Sequence, residues 1–185
     1  TLLVLLLAGL LAGCGGGSRP TGIRAAETPA DDVAEYQPRW RSHTVDSTQY
    51  RKVFLAGTID MGRSADWQAA LVARFRDSIG GRWLFFNPRR REFHASPAEM
   101  EYQVAWELAH LEAADLIVMN LLGDSRSPIS LLEMGLYARS GKLFVACSPD
   151  YYRYDNVRIT CRRYGVPLYD SLTALLDDLP QQSDE

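Results

Sequence analysis

The chain has 185 residues, of which 46% are hydrophobic and 23% charged, which is the make-up of a globular protein with one sizeable core. Its formal charge of -3 argues against a general nucleic-acid binder, which needs a basic stripe to neutralise phosphates. Arginine carries nearly all of the positive charge, Lys52 and Lys142 being the only lysines.

The chain opens on the apolar run Leu2 to Leu11, broken only by Ala8 and Gly9 and followed by Ala12-Gly13-Cys14. The run is short for a permanent membrane span and has the size of a signal-peptide core. Leu11-Ala12-Gly13-Cys14 resembles the lipobox of bacterial lipoproteins, and that resemblance implies a lipid on Cys14 and a place in the cell envelope, facing the periplasm or the exterior. A positively charged leader and an initiator Met are expected upstream. Residues 15–48 are rich in Gly, Ser, Pro, Ala and charge without sustained periodicity, and read as a flexible tether.

From residue 49 to about 180 the pattern changes to strands alternating with helices, leaving 181–185 as a tail. Arg51 to Gly57 reads as a first strand, Ser64 to Ser78 as a helix, and Arg82 to Phe86 as a second strand ended by Asn87-Pro88. Ser96-Pro97-Ala98-Glu99 is a capping box with Pro at the first helical position, opening a helix to about Ala113. A third strand, Asp115 to Asn120, is followed by a Gly/Asp/Ser loop and by a helix with Ser127 as its cap. That helix would pack through Leu131, Leu132, Met134 and Leu136 and stop at Gly141. Then come a strand from Lys142 to Ser148, a helix from about Asn156 to Tyr164, a strand from Val166 to Tyr169, and a last helix from Ser171.

Such alternation predicts an α/β, flavodoxin-like three-layer sandwich around a five-stranded parallel sheet of order 2-1-3-4-5. The loops after the first four strands then share one edge of the sheet. Residues 57–60, 87–90, 120–124 and 148–150 should converge there, where open α/β sheets bind ligands. Glu133 joins them from its helix, with Ser130 and Tyr137 on the same helical face. Cys147, Cys161 and the histidines stand in no metal-ligand spacing, so no metal or other cofactor is expected.

Four pieces in this order resemble the nucleoside 2-deoxyribosyltransferases and related deoxynucleotide N-glycosidases: Val53-Phe-Leu-Ala-Gly57, Asn87-Pro-Arg-Arg90, Trp106-Glu107 eight residues before Asp115, and Leu132-Glu133-Met-Gly135. The resemblance implies that Glu133 is the nucleophile at the sugar's C1′ and that Glu107 or Asp124 moves the proton. Cleaving an N-glycosidic bond explains the need for two carboxylates, one meeting the charge that develops on the sugar and one protonating the departing base. Many transferases carry an aspartate shortly before the nucleophile, and here Ser127 stands six residues before Glu133.

Arg89 and Arg90 are candidates for a 5′-phosphate, Asn120 and Ser130 for sugar hydroxyls, Phe54, Trp106 and Tyr137 for apolar walls, and Gly57, Asn87 and Ser127 for further substrate contacts. The expected partners are a nucleoside or nucleotide, the membrane through the N-terminal lipid, and further copies of the chain. Two other readings stay open: a non-catalytic nucleoside-binding envelope protein, and an enzyme that hydrolyses a nicotinamide N-glycosidic bond.

Overall fold

The computed structural model describes residues 32–79, 81–92 and 94–179. The signal-like segment, Cys14, the first part of the expected tether and the tail lie outside the described residues. Among the described residues no helix is long and apolar enough to cross a membrane.

Seven strands form one sheet: β1 (Val33–Gln37), β2 (Trp40–Arg41), β3 (Arg51–Gly57), β4 (Trp83–Phe86), β5 (Leu116–Leu121), β6 (Leu143–Cys147) and β7 (Leu168–Tyr169), in the order β2-β1-β4-β3-β5-β6-β7. The central run β4-β3-β5-β6-β7 is parallel throughout and is the expected 2-1-3-4-5 order. Five helices cover it: α1 (Trp67–Ser78), α2 (Pro97–Ala113), α3 (Pro128–Tyr137), α4 (Tyr154–Tyr164) and α5 (Leu172–Asp178). The fold is a flavodoxin-like α/β sandwich with two strands more than the sequence reading allowed.

The extra strands correct the boundary of the tether. Residues 33–37 pair in parallel with β4 and turn back through Arg39 into β2, so the folded domain begins near residue 32. Val33, Ala34 and Tyr36 are buried there, and the Tyr36 hydroxyl accepts the Val45 N–H at 3.1 Å. A five-residue strand with no helix beside it in sequence carries too short a pattern to stand out from a polar segment.

Alternating side chains divide the core in two. Phe54, Ala56, Ile117, Met119 and Leu121 face α2, α3 and α4, whereas Val53, Leu55, Leu116 and Val118 face α1 and α5. Ser96 and Ser171 cap α2 and α5 through their hydroxyls, each contact contributing about 1 kcal/mol. Lys142 closes the other end of α2, its ammonium donating to the carbonyls of Leu111, Glu112 and Ala114 at 2.6, 3.0 and 3.1 Å.

Helix α3 departs from expectation twice. Ser127 makes no capping bond: its backbone is left-handed (φ 40°) and its hydroxyl meets those of Thr58 and Ser125 instead. Of the apolar run meant to pack, Met134 is buried and Leu131 partly so, but Leu132 and Leu136 are 62% and 57% exposed. Ten residues with apolar groups nearly all round cannot bury every face against one sheet.

Candidate functional site

At the carboxyl edge of β3 a cavity of about 340 Å³ opens between the β3–α1 loop, α2 and the start of α3. That volume falls in the small-molecule range of roughly 300–1,000 Å³. Of the residues singled out from sequence, Gly57, Glu107, Ser127, Ser130 and Glu133 line it, joined by Asp60, Gln103 and an apolar rim of Met61, Met100, Val104, Pro128 and Ile129. Among the described residues that line it, three are carboxylates and none is an arginine or lysine.

Glu133 projects from the second turn of α3 and is only 7% exposed. Among the described residues no side chain donates a hydrogen bond to it or offers it a cation. Burial in apolar surroundings, with the Glu107 charge as a second cause, pushes its pKa up to about 8. Glu107 comes from α2 and is half-buried; desolvation raises its pKa, opposed by the Gln103 amide, which donates to Oε1 at 2.8 Å. The same amide donates to the Pro88 carbonyl at 3.1 Å, anchoring α2 to the β4 loop. With Oε1 occupied as an acceptor, Oε2 is the oxygen of Glu107 on which a proton can sit.

Gly57 lets the strand end pass tightly against β5. Its φ is 126°, and a Cβ there would stand 2.2 Å from the Asn120 carbonyl oxygen. The next residue, Thr58, donates its N–H to that oxygen at 2.9 Å. The β3–α1 loop then carries two further non-glycine residues at positive φ, Asp60 (48°) and Met61 (54°). Such conformations cost of order 1–3 kcal/mol each and cluster at ligand sites.

The remaining candidates lie elsewhere. Phe54 is fully buried and Trp106 packs between it and His110, with centroid distances of 6.3 and 4.0 Å, so both rings belong to the core. Asn87 is buried and builds a turn, its amide donating to Glu35 at 2.8 Å and its carbonyl oxygen accepting the Arg89 N–H at 3.0 Å. Asn120 contributes backbone to the Gly57 crossing but does not line the cavity. Asp124 is exposed and is not among the residues that line it.

The arginines are spent on structure. Arg89 donates to the carbonyls of Gly62, Ser64 and Ala65 at 3.0, 2.7 and 3.3 Å, clasping the β3–α1 loop. Arg90 pairs with Glu99 at 2.7 Å, a carboxylate shared with Arg39. These two and Arg91, which stacks on Trp40 at 4.0 Å, border a larger, shallower cleft of about 480 Å³. Its cations are matched internally by acids and aromatic faces, and among the described residues it holds no buried unpaired carboxylate.

Of the loops after β5 and β6, only Ser127 lines the cavity; the rest supports it. Gly123 packs close to Ser148 and Asp150, and the Tyr151 hydroxyl donates to the Arg126 carbonyl at 2.6 Å, fixing the approach to α3. Ser125 and Gln103 escaped the sequence reading, and Thr58 and Asp60 entered it only as part of the 57–60 loop. For Gln103 a signal existed, since it stands four residues before Glu107 on one helix.

A family model, nucleoside 2-deoxyribosyltransferase like, matches residues 50–151, which span β3 to the start of the β6–α4 connection and contain every residue lining the cavity. The chain belongs to the nucleoside 2-deoxyribosyltransferase-like family. None of the curated proteins matches it. Membership in the nucleoside 2-deoxyribosyltransferase-like family directs attention to glycosyl transfer on nucleosides, and it draws that attention to this cavity rather than to the arginine cleft, whose Gln37–Trp40 wall precedes the matched segment.

Proposed function

We propose that the chain cleaves the N-glycosidic bond of a neutral 2′-deoxynucleoside and passes the sugar to a second base or to water through an ester on Glu133. The observation that carries this reading is a buried Glu133 that, among the described residues, has no pairing partner and sits in a cavity lined by three carboxylates and no cation. Such a cavity repels a phosphate and favours the positive charge that grows on the sugar ring.

In the first step a Glu133 oxygen bonds to C1′ as the bond from C1′ to the base nitrogen breaks. The proton on Glu107 Oε2 passes to the leaving base, whose electron pair receives it. Two carboxylates this close do not both ionise cheaply, so ionising Glu133 favours the proton on Glu107. In the second step an acceptor base or water attacks C1′, the ester bond breaks, and the acceptor's proton returns to Glu107. Two displacements on one carbon retain its configuration. The apolar rim of Met61, Met100, Val104 and Ile129 suits the flat face of a nucleobase.

The same rim supports a homo-oligomer. Met100, Val104 and Leu108 on α2, with Ile129, Leu132 and Leu136 on α3, are 41–62% exposed, and the two stripes meet at the cavity mouth. A second copy covering them would complete the site. The lipobox-like Leu11-Ala12-Gly13-Cys14 supports a lipid-anchored location in the bacterial envelope, where scavenging external nucleosides would suit this chemistry.

The test is to incubate the full chain with 2′-deoxyadenosine and excess cytosine and follow adenine and 2′-deoxycytidine. Adenine release that disappears in Glu133→Ala supports the reading. No release, or full activity in Glu133→Ala, overturns it.

A further inference from the structure

A chain of three buried hydroxyls leads from the cavity to Asp60. The Leu122 N–H donates to Thr58 Oγ1 at 3.0 Å, Thr58 Oγ1 meets Ser127 Oγ at 2.8 Å, Ser127 Oγ meets Ser125 Oγ at 2.8 Å, and Ser125 donates to Asp60 Oδ1 at 2.8 Å. Thr58, Ser125 and Ser127 are 0%, 5% and 6% exposed. The four residues come from two loops, and two of them, Asp60 at the end of the chain and Ser127 in its middle, line the cavity.

The direction of every bond in the chain follows from proton counting. Each hydroxyl has one proton and two lone pairs. Ser125 gives its proton to Asp60, so in the next contact Ser127 must donate to Ser125, and in the one before it Thr58 must donate to Ser127. The backbone N–H at the far end, which can only donate, agrees with that polarity. Ser127 has therefore given away its proton and accepted one bond, and retains one lone pair.

We propose that Asp60 is a positioning residue which, through Ser125, holds Ser127 as an obligate hydrogen-bond acceptor, so that the site selects a ligand hydroxyl that donates beside Glu133. The proposal rests on the nucleoside reading for the identity of that hydroxyl, the 3′ or the 5′ group of the sugar. It also accounts for the serine six residues before Glu133. The carboxylate missing from that position is supplied from the β3–α1 loop and transmitted through hydroxyls. Backbone at both Asp60 and Ser127, the two members that line the cavity, is left-handed.

Asp60→Asn tests the polarity without disturbing the fold, since asparagine tolerates left-handed backbone at least as well. Its amide can donate to Ser125, which frees the Ser127 proton to face the cavity. The first measurement is a neutron structure of the unliganded full chain. Deuterons on Thr58, Ser127 and Ser125 all directed toward Asp60 are expected, with the Ser127 deuteron turned to the cavity in Asp60→Asn; a wild-type Ser127 deuteron facing the cavity overturns the proposal.

The second measurement compares kcat/KM for 2′-deoxyadenosine with its 3′-fluoro-3′-deoxy and 5′-fluoro-5′-deoxy analogues, since fluorine cannot donate. Wild type should prefer hydroxyl over fluorine at one of the two positions by about tenfold or more, as lone pair would otherwise face lone pair. In Asp60→Asn that ratio should fall at least about fivefold, and Asp60→Glu should restore part of it. A ratio unmoved by Asp60→Asn overturns the proposal even if turnover is robust. If wild type turns over none of the three nucleosides, the nucleoside reading falls, and the neutron structure alone decides whether Asp60 polarises Ser127.

Discussion

Glu133 and Glu107 reach one cavity from two helices, α3 and α2, and the charge on Glu107 adds to burial in holding Glu133 protonated up to about pH 8. A carboxylate desolvated to that degree is costly to the fold and useful to chemistry, since an unsolvated anion is a strong nucleophile.

The cost should appear in the stability of the unliganded chain. The native pKa of Glu133 lies above its unfolded value near 4.5, so the native state binds the extra proton and stability falls as pH rises from about 4.5 to about 8. Glu133→Gln removes the buried charge. Urea unfolding at pH 8.5 should show the variant more stable than wild type by on the order of a few kcal/mol, and at pH 4 the difference should vanish.

Turnover should fall at the upper end of that range. The first step needs Glu133 ionised and the proton on Glu107, so the pair must hold one proton, and kcat for adenine release from 2′-deoxyadenosine should drop as pH rises through about 8. Glu107→Gln removes both the donor and the neighbouring charge, so kcat should be lower by about 10²-fold or more and should instead climb with pH, through a Glu133 pKa below the wild-type value. A variant whose turnover falls with pH as wild type does would show that the two carboxylates are not coupled.

Gly57→Ala should damage the site through the backbone. A Cβ at φ 126° would strike the Asn120 carbonyl at 2.2 Å, against backbone that β-sheet pairing holds in place. A loss of about 2 kcal/mol or more is expected in denaturant unfolding, along with reduced turnover.

Arg89→Ala should act on the loop rather than on a phosphate. Removing the guanidinium strands the carbonyls of Gly62, Ser64 and Ala65 and releases residues 60–66. KM for 2′-deoxyadenosine should rise, stability should drop by about 2 kcal/mol, and limited proteolysis should cut in this loop. Wild type and variant should alike prefer 2′-deoxyadenosine to its 5′-monophosphate, as no cation lines the cavity among the described residues.

Leu132→Asp with Leu136→Asp should leave the monomer fold intact, both side chains being exposed, and should lower the oligomeric state in analytical ultracentrifugation. A homo-oligomer that sediments unchanged would mean that this face is not the interface.

Much of the fold was legible in the residues. Apolar runs such as Val53–Ala56 and Leu116–Leu121, separated by helical patterns with Ser96-Pro97 and Ser171 as start signals, determined the strand order, because buried parallel strands and capped helices write strong local signatures. Glu107 and Glu133 could be named for the same reason, each standing in a recognisable segment. Tertiary structure alone decided which neighbours share the cavity. Arg89 and Asn87 fold inward to build turns, Phe54 and Trp106 sink into the core, and Asp60 replaces Asp124 as the third carboxylate. It also decided that residues 33–41 extend the sheet, since an edge strand is specified by the partner it finds. Hydrogen-bond direction and desolvation depend on what surrounds a group in three dimensions, and no spacing along the chain encodes them.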